Sequence, residues 1–289
     1  DCKMLKEGEM VALTACSDLL PRTAEAQIQE LCGCLEALGL IPAAGPHLFG
    51  EKPLEKSGRE KAEILNRCYR DERIRALFDV SGGNGANEIL PWLDFEAVKK
   101  HPKPFWGYSD CTVILNAVYT KTGNSGVLWQ VRNLVRDAGA LQRERFGRWM
   151  DGKEDLFSVN WRFCRGHSME GILLGGNLRC FLKLAGTPYF PDLDGKLLFL
   201  ESLGGGPELI ASLLAQLSQL GVFQKIAGLL LGSFTELSKN PANPDVGTLL
   251  SRCGLPSGLP VAAASEVGHG GASRALVIGG RYIIEEKPV

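Results

Sequence analysis

From residue 10 to about 130, short apolar runs alternate with amphipathic stretches of helical period, and this alternation is what most restricts the fold. Met10 to Cys16, Ile74 to Val80, Phe105 to Tyr108 and Gly126 to Trp129 read as strands. Between the first two, Thr23 to Leu38 reads as a helix: Ile28, Leu31, Leu35 and Leu38 follow the 3.6-residue period, and Gly39 ends it. Ser57 with Glu60 forms a capping box that opens a second helix running to Tyr69. Strands separated by helices predict a parallel sheet covered on both faces. Ligands of such sheets sit beyond the carboxyl ends of the strands. Ser81-Gly82-Gly83 and Ser109 both fall at such ends.

Residues 131 to 165 are rich in Arg, Asp and Glu, with a short helix near Leu141 to Met150 and little strand signal. Further on, Met169 to Leu174, Leu197 to Glu201, Ile226 to Leu231, Val261 to Ala264, Ala275 to Ile278 and Tyr282 to Glu285 read as strands, with helices near 177–184 and 208–220. The expected organisation is a parallel α/β domain over 1–135, a linker or lid over 136–168, and a mixed α/β domain over 169–289.

Bulk properties exclude several classes. The 289-residue chain suits one large domain or two of ordinary size. Its net charge of −1, with the signs interleaved, provides no field for nucleic acid or an anionic membrane. No apolar run approaches the roughly 18–20 residues that span a bilayer. The start, Asp1-Cys2-Lys3, has no apolar segment and no initiator Met, and reads as processed. Nine cysteines show no repeated spacing, and only Cys32 and Cys34 are close-set, without the His or second pair that a zinc site needs. Buried or incidental reduced thiols are expected, and with them the cytoplasm.

Four features can carry chemistry. Ser109, in Gly107-Tyr108-Ser109-Asp110, lies on a tight turn between a buried strand and a helix, where free N–H groups favour a developing oxyanion. It is either a nucleophile or a helix cap; Thr112 stands where a capping box wants Glu or Gln, and Cys111 where a hydrolase elbow wants Gly. Ser81-Gly82-Gly83-Asn84-Gly85 is a plain turn or a source of backbone donors. A phosphate cradle is disfavoured, because Glu88 breaks the dinucleotide pattern and no basic residue lies between Arg75 and Lys99. His269, flanked by Gly268 and Gly270 after an apolar strand, is the histidine placed to act as a base. Such a base needs a carboxylate to set its tautomer. Glu201, at the tip of Leu197-Leu198-Phe199-Leu200, is the first choice, with Glu208 and Glu266 as alternatives.

Six blocks in this order resemble the LD-carboxypeptidase family of serine peptidases, which also contains the microcin C self-immunity hydrolases. They are Gly82-Gly83 with Leu90-Pro91-x-Leu93-Asp94-Phe95; Gly107-Tyr108-Ser109-Asp110-x-Thr112; Gly171-x-Leu173-x-Gly175-Gly176-Asn177-Leu178; Gly186-Thr187-Pro188-Tyr189; Leu198-Phe199-Leu200-Glu201; and Gly268-His269-Gly270. The resemblance implies a Rossmann-like first domain and a second with barrel-like strands, a Ser109–Glu201–His269 triad, and an oxyanion hole from the N–H groups of Gly83 and Asp110. It also implies no metal or other cofactor, a homodimer, and removal of terminal D-Ala from murein tetrapeptide. The chain departs from the family at Ser81, where Arg is usual, at Leu128-Trp129-Gln130, where His-Gly-Pro is usual, and at Ser202 to Pro207. Substrate contacts are expected at Gly82 and, for a peptidyl-nucleotide substrate, on the rings of Trp129 and Trp161. A terminal carboxylate needs a cation, for which Arg132, Arg162, Arg165 and Arg179 are candidates.

Overall fold

The computed structural model describes residues 4–153 and 155–287, so the start expected to be processed, Asp1 to Lys3, lies outside the described residues. Strands β1 (Met10–Thr14), β2 (Ile41–Ala43), β3 (Ile74–Asp79), β4 (Phe105–Gly107) and β5 (Gly126–Leu128) form a parallel sheet ordered β5-β4-β3-β1-β2. Helices α1 (Glu25–Ala37), α2 (Gly58–Arg70), α3 (Phe95–Lys100) and α4 (Thr112–Thr122) connect them. The α2 capping box forms as the sequence predicts: Glu60 N–H donates to Ser57 Oγ (3.2 Å) and Ser57 N–H to the Glu60 carboxylate (2.7 Å). Chain direction across the sheet reverses between β1 and β3, which opens a crevice at their carboxyl ends.

The expected linker is part of the core. Helix α5 (Gly139–Met150) buries Phe146 and Trp149 against one face of this sheet. There they meet Phe78, Trp106 and Trp129, with Trp106 and Trp149 centroids 5.0 Å apart and Trp106 and Phe78 5.3 Å apart, both edge to face. The basic residues that suggested a lid are the outer side of an amphipathic helix.

Strands β6 (Arg162–Arg165), β7 (Ser168–Asn177), β8 (Leu197–Ser202), β9 (Gly228–Phe234) and β10 (Val261–Ala263) build the second sheet. After β11 (Leu276–Ile278), β12 (Arg281–Glu285) completes it in the order β12-β7-β8-β9-β10-β6. β7 to β10 are parallel and the flanking strands antiparallel, and the sheet curls into a half-barrel. Strand β11 lies elsewhere: it pairs antiparallel with β5 at the edge of the first sheet. Pattern alone says that Leu276–Ile278 is a strand, but not which open edge it covers.

The sheets meet along a polar seam. Helix α4 offers Asn116, whose side chain accepts from Gly175 N–H (3.0 Å) and donates to its carbonyl (2.9 Å), and Thr112, whose hydroxyl accepts from Asn177 N–H (3.0 Å). A side chain at Gly176 would put its Cβ 2.5 Å from Thr112 Oγ1, so only glycine lets β7 approach α4 this closely. Helices α6 (Leu178–Leu182) and α7 (Pro207–Gln219) complete the packing of this half, and one apolar core runs from the first sheet into the second. No helix among the described residues is long and apolar enough to cross a membrane.

Trp106 is fully buried at the centre of the aromatic cluster. Trp106→Ala is expected to cost about 3–5 kcal/mol in urea-induced unfolding, because the void cannot close between sheet and helix.

Candidate active site

Ser109 lies two residues after β4 and opens the helical turn 109–111 that leads into α4. Its φ is +56°, a left-handed conformation that costs a residue with a Cβ roughly 1–2 kcal/mol. A capping residue would instead be extended; that position is held by Tyr108, with φ −142°, and no side-chain cap bond forms. Among the described residues Ser109 Oγ makes no hydrogen bond. The geometry is a strained strand-to-helix elbow with the hydroxyl on the cleft wall. Sequence pattern could not separate cap from elbow, because both place a serine between strand and helix.

The glycine turn after β3 faces it: a Cβ at Gly82 would stand 4.0 Å from that of Ser109. Gly83 has φ +125°, and a Cβ there would come within 2.0 Å of Asp18, so the position requires glycine. Asp18, a residue sequence reading missed, accepts from the N–H groups of Asn84 (3.2 Å) and Gly85 (3.1 Å) and shapes the turn. Ser81 points inward, donating to buried Asp79 (2.5 Å) and accepting from Ser17 N–H (2.9 Å), and supplies no charge to the cleft.

Glu201, at the carboxyl end of β8, is fully buried. Its Oε2 accepts from His269 Nδ1–H (2.7 Å), while Oε1 accepts from Asn177 Nδ2 (3.1 Å) on the neighbouring strand. A carboxylate only accepts, so this contact places the proton on Nδ1 and leaves Nε2 as the free nitrogen. Of the alternatives, Glu208 is exposed on α7, and Glu266 accepts from Asn160 N–H (2.7 Å). The Tyr108 ring stands edge-on to the imidazole with centroids 5.0 Å apart. Burial, then the charge of Glu201, push its phenol well above the ordinary value, so it stays neutral.

Ser109, His269, Gly82, Gly83 and Tyr108 line one cleft of about 400 Å³. No hydrogen bond joins Ser109 Oγ to the imidazole; in unliganded enzymes such contacts commonly tighten only with substrate. Trp129 is absent from this cleft. It is fully buried, and its indole N–H donates to the carbonyl of Ser273 (2.9 Å), as does Gln142 Nε2 (2.8 Å). The ring thus anchors the loop that carries His269. Trp161 packs against Phe199, away from the cleft. Arg165 is spent on the carbonyls of Leu259 (2.8 Å) and Pro256 (2.9 Å), and Arg162 lies exposed on β6. Arg132 lines the cleft, as does Arg136, which sequence reading did not single out.

Asp110 turns away from the cleft. Its fully buried carboxylate accepts from Lys183 (2.6 Å), Ser17 Oγ (2.6 Å) and Ala86 N–H (2.8 Å). Burial alone would raise its titration, but these bonds outweigh burial and hold it below the usual carboxylate value. Lys183 also donates to the Asn84 carbonyl (2.8 Å), and Arg179 to the Gly83 carbonyl (3.1 Å), so residues in and just after α6 grip the glycine turn and the Ser109 elbow together.

Comparison with known proteins identifies the family and the fold. Residues 11–128 match the LD-carboxypeptidase N-terminal domain and residues 170–284 the LD-carboxypeptidase C-terminal domain. The chain belongs to the LD-carboxypeptidase family. It is similar to a Bacillus subtilis protein named "Probable murein peptide carboxypeptidase", with 29% identity over 86% of this chain and 80% of the relative. It also resembles the murein tetrapeptide carboxypeptidase of Pseudomonas aeruginosa, with 24% identity over 96% and 94% of the two chains. Among solved structures, MccF in complex with glutamyl sulfamoyl guanosine shares the fold at a TM-score of 0.86 and 19% identity, covering 99% of this chain and 98% of that one.

Two outcomes follow from the elbow and the Asp110 pair. Ser109→Gly is expected to be more stable than Ser109→Ala by about 1 kcal/mol in denaturant unfolding, because only glycine relieves the positive φ. Equal stabilities would remove the strain argument. Asp110 titrates lower folded than unfolded, so its contribution is complete above the unfolded value near 4 and fades as pH falls through the folded one. Lys183→Met raises the folded value, so acid unfolding, followed by circular dichroism, should move to higher pH, with a loss of about 1–3 kcal/mol at neutral pH.

Proposed function

We propose that this protein is a serine LD-carboxypeptidase that releases the terminal D-amino acid from murein tetrapeptide through an acyl-enzyme. The observation that carries this reading is the buried Glu201–His269 pair opening onto the same cleft as the strained Ser109. His269 Nε2 takes the proton of Ser109 Oγ, which attacks the amide carbonyl. Glu201 holds the ring and stabilises the imidazolium that forms. The oxyanion is received by the N–H groups of Gly83 and of Asp110, the latter the second residue of an opening helical turn, ahead of the first amide of the turn that finds a carbonyl, that of Cys111 on Tyr108 (3.1 Å). His269 then protonates the leaving amine, and water enters by the same base to free the acyl group.

The setting proposed is cytoplasmic, supported by eight free thiols among the described residues, and the assembly a homodimer, as the family resemblance implies. A peptidyl-nucleotide substrate has the MccF-like fold in its favour but lacks its expected aromatic platforms, since Trp129 and Trp161 lie off the cleft.

Purified enzyme is expected to release D-Ala from L-Ala-γ-D-Glu-meso-diaminopimelyl-D-Ala. Ser109→Ala should lower kcat by roughly 10⁴-fold or more, and Glu201→Gln by a comparable factor, because the amide favours the wrong imidazole tautomer. A serine-directed phosphonate should label Ser109. Parent-rate turnover by folded Ser109→Ala would end the proposal; turnover of a glutamyl sulfamoyl nucleoside alone would replace the substrate.

A further inference from the structure

The cleft that holds Ser109 and His269 also carries two guanidinium groups that form no ion pair among the described residues. Immediately after β5, a helical turn over 131–135 carries Arg132 on its first half and delivers Arg136 just beyond its end. Both line the cleft that holds Ser109 and His269. Arg132 is half-buried. Its Nε (2.9 Å) and Nη2 (2.6 Å) donate to the neutral side-chain carbonyl of Gln27 on α1, and its Nη1 to the Val80 carbonyl (3.4 Å). Among the described residues neither guanidinium forms an ion pair; the neighbouring Asp137 attracts Arg136 without pairing with it, and burial outweighs that attraction. Two like charges on one wall repel, and half-buried Arg132 is also partly desolvated; an anion entering between the two relieves both effects.

Burial, then the proximity of Arg136, push the Arg132 guanidinium down to about 10, still charged at neutral pH. Orientation is controlled from outside the pair. Gln27 grips Arg132 from α1, Arg132 N–H donates to Gln130 Oε1 (3.2 Å), and Gln130 Nε2 donates to the Ser81 carbonyl (3.4 Å), beside the glycine turn. The arginine wall is therefore tied directly to the segment that faces the reacting carbonyl. Planar guanidinium forks suit carboxylates, which they bind with paired, charge-assisted hydrogen bonds.

We infer that Arg132 and Arg136 form a carboxylate clamp for the C-terminal carboxylate of the substrate, with the scissile amide between the clamp and His269. This rests on the hydrolase reading above and adds its specificity: a chain ending beyond the scissile bond in one free carboxylate-bearing residue is accepted. Arg132 and Arg136 then serve at the cleft in place of an arginine before the glycine pair, where this chain has Ser81, whose side chain is turned toward Asp79.

The test is binding to the Ser109→Ala enzyme, which needs no turnover. Isothermal titration compares the tetrapeptide ending in D-Ala with its C-terminal amide; all other carboxylates are common to both. The acid is expected to bind on the order of 10²-fold more tightly, the scale of a charge-assisted pair. Arg136→Gln, at an exposed position, should reduce that preference about tenfold, and Arg132→Gln with Arg136→Gln should abolish it, with the amide bound as before. Equal binding of acid and amide, or an acid preference untouched in the double variant, overturns the clamp. Tight, selective binding of the acid without D-Ala release by the unsubstituted enzyme would instead overturn the hydrolase reading and leave the clamp standing.

Discussion

The architecture depends on one polar seam. Asn116 and Thr112 on α4 bond directly to the backbone of Gly175 and Asn177 at the end of β7. Buried backbone groups there would otherwise lack partners, and each unmet bond costs more than a met one contributes. The seam therefore sets the distance between the two sheets. Asn177 continues the arrangement by bonding Glu201 on the adjacent strand, and Glu201 in turn holds His269. A chain of hydrogen bonds thus runs from α4, whose first turn follows Ser109, to the imidazole proposed to act on it.

The supports around this chain are shared between the halves. Trp129 from the first sheet and Gln142 from α5 both bind the carbonyl of Ser273, fixing the loop after His269. In the other direction, Arg179 and Lys183 reach back to the glycine turn and to Asp110. Each half orders the reactive loops of the other, so neither site segment is positioned by its own sheet alone. Such mutual support is what preorganised electrostatics requires, since donors that reorient during reaction lose most of their effect.

The strain at Ser109 fits the same economy of design. A left-handed serine persists only where its surroundings over-determine it. Here β4 on one side and the α4 seam on the other leave the turn no alternative path. What stability the elbow costs is met by the aromatic cluster under the first sheet and the continuous apolar core on its opposite face.

Much of this is local chemistry that the sequence alone determines. Hydrophobic period marked the parallel sheet, its helices and the capping box at Ser57, and motif order marked the family and the residues Ser109, Glu201 and His269. Those signals survive in one dimension because each depends on neighbours a few positions away. Tertiary structure alone decided the rest. It placed β11 on the first sheet, made α5 part of the core, buried Trp129 as an anchor, and brought Asp18, Lys183 and Arg136 to the cleft region. These outcomes depend on which surfaces meet across more than a hundred residues, and burial and hydrogen-bond satisfaction are properties of the contact, which no single segment carries.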